Sequence, residues 1–111
     1  IHTTISNLNV LDIGNLIDWC ADRNIYLNYD LVINTPRFHI SNLPDELKKI
    51  AITKLDPYKD NKLAKEILPI LSSSIQIGDW EEFKQDIKMR DQHRKTSILK
   101  IIPELEPYWN A

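Results

Sequence analysis

Glycine is nearly absent, with 2 residues in 111. That excludes the glycine-rich loops that cradle phosphates and argues against a hairpin-dense all-β fold. Cysteine occurs once, as Cys20, so no internal disulfide can form. No apolar run approaches the roughly 18–20 residues of a membrane-spanning helix, so no membrane partner is expected. A basic surplus is missing too. Fourteen Lys and Arg stand against 16 Asp and Glu, a formal net charge of −2, and the pI is about 5.9. Duplex nucleic acid is therefore not an expected partner. The chain opens on Ile1 rather than Met, which implies processing or a start inside a longer protein. No charged leader precedes an apolar core, so the expected compartment is the reducing cytoplasm.

What is present suits one domain. Apolar residues make up 42% and charged residues 27%, both ordinary for a chain that buries a core. Residues 1–6 are β-rich and short. Asn9 is the expected cap of a helix running to Arg23, with Ile13, Leu16, Ile17 and Cys20 on one face. A second extended region covers Ile25 to Ile33. Its run Leu31-Val32-Ile33 suits a strand buried on both faces. Asn34-Thr35-Pro36 ends it, because proline removes a ladder donor. The remainder reads as helical: Asn42 to Leu55, Asn61 to Leu71 with Pro69 as a kink or stop, Asp79 to Lys95, and a last turn closed by Pro103.

The order is therefore strand, helix, strand, then helices only. A crossover helix between strands implies parallel neighbours. Two or three strands do not bury a parallel sheet that is apolar on both faces. The pattern calls for strands that this chain does not contain.

The run Ile33 to Lys48, I-N-T-P-R-F-H-I-S-N-L-P-D-E-L-K, resembles the N-P-P-Y-L-S-(I/L)-x-x-L-P-x-E-(V/L)-K stretch of phage and bacterial twitch domain-containing radical S-adenosylmethionine proteins. Ile5 to Asn9 and the helix around Leu16-Ile17-Asp18-Trp19-Cys20 are similar to that family's fifth strand and following helix. Asp91 and Arg94 match its D-x-x-R, and Leu99 to Trp109 resembles its closing P-E-L-x-x-Y tail. The resemblance spans nearly the whole chain and includes no catalytic motif.

That resemblance implies an α/β fold: the distal β-α-β part of a partial (β/α) barrel in residues 1–41, followed by a helical C-terminal extension in residues 42–111. It implies a parent enzyme in which a CxxxCxxC loop holds a [4Fe–4S] cluster and S-adenosylmethionine caps it. Reductive cleavage then yields a 5′-deoxyadenosyl radical that takes hydrogen from a peptide, protein or small polar molecule. Cys20 alone does not make that motif. The cluster would belong to the parent protein, and the missing N-terminal barrel half would be this chain's partner. No catalytic residue is expected here.

Ligands of parallel α/β sheets lie beyond the carboxyl ends of the strands. Ser6, Asn7, Asn34, Thr35 and Pro36 fall there and are the candidate cofactor and substrate pocket. The competing reading is that they are turn and cap residues, which Asn, Ser and Pro favour in any fold.

Other features have plain readings. Cys20 sits on an apolar helix face and acts as a small hydrophobe. His2, His39 and His93 have no metal-ligand spacing. The cations from Lys84 to Lys100 follow the acidic residues Asp79, Glu81 and Glu82, as a helix dipole favours, with Asp91 and Arg94 an expected i,i+3 pair. The aromatics Trp19, Trp80, Tyr108 and Trp109 are expected to pack helix on helix. The alternative to an enzyme part is a small, mostly helical protein-interaction module, with its N-terminal strand paired to a partner.

Overall fold

The computed structural model describes residues 1–32 and 34–110. Strand β1 is His2–Ile5, helix α1 is Ile13–Asp22 and strand β2 is Asn28–Leu31. Helices α2 (Asp45–Leu55), α3 (Lys62–Ser72), α4 (Trp80–Arg94) and α5 (Glu106–Trp109) follow. The two strands pair in parallel, His2 against Asn28 through Ile5 against Leu31, with α1 as the crossover. The fold is thus mixed α/β, mostly helical, with a small two-stranded parallel sheet.

The strands are shorter than expected, and their burial differs. Thr3, Ile5, Tyr29 and Leu31 are buried or half-buried, whereas His2, Thr4, Asn28 and Asp30 are exposed. One face of the sheet packs and the other is open, because polar and apolar side chains alternate with the two-residue period of a strand. Of the run expected to be buried on both faces, Leu31 and Val32 are half-buried, and Ile33 lies outside the described residues.

The helices begin where local chemistry starts them. The Asn61 side chain accepts the Leu63 N–H at 2.9 Å, and Asp79 accepts the Glu81 N–H at 3.0 Å. Lys95 closes α4 in the left-handed region at φ 56°. Pro69 does not stop α3, which continues to Ser72. Helix α1 differs at its start. A 3-10 turn, Val10–Asp12, leads into it, and Asn9 closes the preceding turn instead of capping it. Asn42 does not cap α2 either; Pro44 holds that position.

One core cluster draws on both ends of the chain. Ile5, Val10, Ile13 and Ile17 meet Leu47, Ala51, Leu63, Ile67 and Phe83 there. Phe83 is its aromatic centre. Its ring lies 5.0 Å from Trp80, 5.7 Å from Phe38 and 6.1 Å from Trp109 between centroids. Cys20 is buried among these helices. Trp19, expected in a helix interface, is 41% exposed with the Arg23 guanidinium over its ring. It lies to one side of the apolar stripe on α1, so its ring stays partly in solvent. Asp91 takes a different partner from the expected Arg94. Its carboxylate accepts the Thr96 hydroxyl and the Ile98 N–H, holding the turn that leaves α4.

Candidate functional site

The carboxyl ends of the two strands open into a cleft of about 410 Å³ lined by Thr4, Asp30, Leu31, Val32, Asn34 and Thr35. Asn34 is exposed and Thr35 half-buried. Ser6, Asn7 and Pro36 are outside that lining. Sequence reasoning named the cleft's Asn34 and Thr35 and missed Thr4 and Asp30. The signal for those two was the alternation within each strand, which puts them on the face opposite Ile5 and Tyr29. Beside the cleft, the His2 Nε2 lies 2.9 Å from the Asp30 carboxylate.

Ser6 and Asn7 belong to a buried turn. The Ser6 N–H donates to Asn9 Oδ1 at 2.9 Å, the Leu8 N–H donates to Ser6 Oγ at 3.1 Å, and Asn9 Nδ2 donates to the Thr4 carbonyl at 2.8 Å. Asn7 is only 1% exposed. Its Nδ2 donates to Asn42 Oδ1 at 2.6 Å and to the Arg37 carbonyl at 3.1 Å. Asn42 Nδ2 in turn donates to the carbonyls of Pro36 and Arg37. The two amides thus tie the end of β1 to the loop after β2. Asn7 Oδ1 is buried with no hydrogen-bond partner among the described residues.

The same loop is clamped from the far side. Arg37 Nε and Arg90 Nε both donate to Asp86, at 3.0 and 3.1 Å. Desolvation raises the Asp86 carboxyl, but the hydrogen bonds from Arg37 and Arg90 outweigh it and hold it below its ordinary value. Gly78 sits at φ +82°, where a Cβ would come within 2.1 Å of the Pro36 carbonyl oxygen. Only glycine allows that approach.

A second cavity, of about 340 Å³, is lined by His39, Ser41, Pro69, Ile70, Ser73, Ile75 and Ile77. Ser41 Oγ lies 2.7 Å from His39 Nδ1. The pair looks like a nucleophile and its base, yet the wiring opposes that role. Nδ1 already accepts the Ser41 backbone N–H at 3.1 Å, and Ser41 Oγ accepts the Ile77 N–H at 2.8 Å. The contacts serve to pin the segment after α3 to the loop after β2. A third cavity, of about 230 Å³, lies between α1, β2 and the start of α3, with Cys20 and Tyr29 in its wall. The Tyr29 hydroxyl is buried and meets no partner at hydrogen-bonding geometry among the described residues. Burial first, then the nearby Glu66 carboxylate, push its pKa up to about 12.

Among the described residues no three His, Cys, Asp or Glu side chains come together as a metal-binding group. One buried thiol does not fit a [4Fe–4S] cluster, which takes several thiolates. No step through a cluster is assigned to these residues. No helix is long and apolar enough to cross a membrane among the residues described. No protein-family model, curated protein or solved structure matches the chain.

Proposed function

We propose that this chain is the distal part of a twitch-type radical S-adenosylmethionine enzyme of the cytoplasm. In that reading β1, α1 and β2 form the far end of a partial (β/α) barrel, and α2 to α5 are its helical C-terminal extension. The observation that carries it is the two-sided character of the sheet. A parallel pair covered on one face, with His2, Thr4, Asn28 and Asp30 open on the other, is what a segment cut from a barrel would present. In such barrels helices cover the outside and ligands sit at the carboxyl ends of the strands. The cleft of Thr4, Asp30, Asn34 and Thr35 is at that end.

The role of this chain would be to bind and orient. Asp30 offers a carboxylate that accepts hydroxyl protons, and Thr4, Asn34 and Thr35 offer small hydrogen-bonding groups. These suit the sugar and base edges of S-adenosylmethionine, or a peptide or small polar substrate beside it. Ser6, Asn7 and Pro36 would hold the rim in place through the turn and the amide bridge. S-adenosylmethionine and the cluster would supply the radical chemistry in the parent enzyme, and no residue of this chain would hold the cluster. The cluster's thiolates would come from the missing N-terminal half.

The deciding experiment is to sequence the reading frame upstream of Ile1 over roughly 200 codons, the span of a barrel of this kind. An open frame encoding CxxxCxxC supports the proposal. A frame that closes without those cysteines overturns it. The second reading, a helical interaction module, is favoured by the closed core around Leu47, Leu63 and Phe83, each fully buried. A start codon directly before Ile1 would make it the leading account.

A further inference from the structure

The cavity beside His39 has the make-up of a small-molecule site. Its wall is mostly apolar: Pro69, Ile70, Ile75 and Ile77. Its volume of about 340 Å³ falls in the range of ligand pockets, about 300–1,000 Å³. Ile75 and Ile77 at its rim are 70% and 44% exposed, although both are large apolar side chains.

His39 is its distinctive polar group. The residue is 7% exposed. A backbone N–H only donates, so the bond from the Ser41 N–H makes Nδ1 an acceptor. The ring proton of the neutral imidazole is then on Nε2. Nε2 makes no hydrogen bond among the described residues. Burial moves the imidazole below its ordinary pKa, which keeps this tautomer neutral at pH 7. Nε2 keeps access to solvent, so a ligand acceptor there would take the place of water. On the other side, Ser41 Oγ and the tight fit of Gly78 on the Pro36 carbonyl fix the strap that carries Ile75 and Ile77. The wall is therefore built before any ligand arrives.

We propose that this cavity binds a small apolar molecule bearing a carbonyl, with the carbonyl oxygen accepting the His39 Nε2–H and the apolar body lying against Ile70, Ile75 and Ile77. The site shares no lining residue with the strand-end cleft, and it does not depend on the enzyme reading. Recognition follows the usual division of such sites: apolar area supplies most of the affinity, and one placed polar group fixes orientation.

The test uses the 111-residue chain and acetophenone, a ring joined to a carbonyl, titrated by NMR. The expected result is saturable shifts confined to the methyls of Ile70, Ile75 and Ile77 and to the His39 ring nitrogens, Nε2 most of all. His39→Asn keeps an acceptor where Nδ1 stood, so it preserves the bond from the Ser41 N–H while removing the Nε2 donor. It should weaken binding about tenfold. Ile75→Asp, at an exposed rim position with little risk to folding, should weaken it by a similar factor. The absence of shifts, shifts spread over the whole surface, or His39→Asn binding as tightly as the parent chain would each overturn the proposal.

Discussion

The two halves of this molecule differ in how completely they are closed. Around α2, α3 and α4, side chains such as Leu47, Leu63, Ile67 and Phe83 are fully buried. Around β1 and β2, alternate residues stand in solvent, and the two strands of four residues have no further neighbour among the described residues. Burial of apolar area is the main favourable term in folding. The helical half therefore holds most of the stability, and the sheet is attached to it. The attachment combines the apolar packing of Ile5, Val10 and Ile13 in the shared core with specific polar contacts: the Asn7–Asn42 bridge, the Asp86 clamp on Arg37, and the Ser41 contacts to Ile77. A functional cleft built on the open half and braced by the closed half would keep its geometry while leaving strand edges free for more sheet.

That contrast can be broken at its strong end first. Phe83→Ala removes the aromatic centre of the closed half and should cost about 4 kcal/mol in urea denaturation. Asn42→Ala cuts the bridge between the halves. It removes three hydrogen bonds, although the Pro36 and Arg37 carbonyls and the Asn7 amide nitrogen each keep another partner, for a loss of about 3 kcal/mol at roughly 1 kcal/mol per bond. Gly78→Ala forces a Cβ against the Pro36 carbonyl at positive φ and should cost about 2 kcal/mol. Leu31→Ala, on the half-buried strand, should cost only about 1 kcal/mol, because part of its area is already in water. If Leu31→Ala matched Phe83→Ala, the halves would not differ as described.

The smallest effect is set by pH. Folding lowers the His39 pKa from its ordinary value of 6.5, so below that value the unfolded chain binds more protons than the folded one. The stability this neutral imidazole contributes is present above pH 6.5. It is lost as the pH falls through 6.5 toward the folded value. Thermal melts between pH 7.5 and 5 should show a shallower acid loss in His39→Asn than in the parent chain.

Much of the helical half was legible in the sequence. The 3.6-residue spacing is a local signal, and the helix starts expected at Asn61 and Asp79 fall within one residue of the observed starts of α3 and α4, where these two residues serve as caps. The order strand, helix, parallel strand was legible for the same reason. The open face of the sheet was partly legible. Thr4 and Asp30 alternate with apolar neighbours, but the apolar run at 31–33 drew attention to burial on both sides. The polar bridges were not legible. Asn7 meets Asn42, and Ser41 meets Ile77, across more than thirty residues, and nothing local distinguishes a bridging Asn or Ser from a cap. Asn42 illustrates the point, since it stands where a cap would and is used as a bridge.

In the proposed reading the sheet is an open end to which further strands would add. Native-state hydrogen exchange on the 111-residue chain tests it most directly. The account predicts that amides of the closed half, such as Phe83 on α4, exchange only by global unfolding. Those that join the strands, Asn28 to the Ile1 carbonyl and Val32 to the Ile5 carbonyl, should exchange orders of magnitude faster by local opening. Strand amides as strongly protected as those of α4 would mean that the sheet is complete as it stands, and would contradict the account.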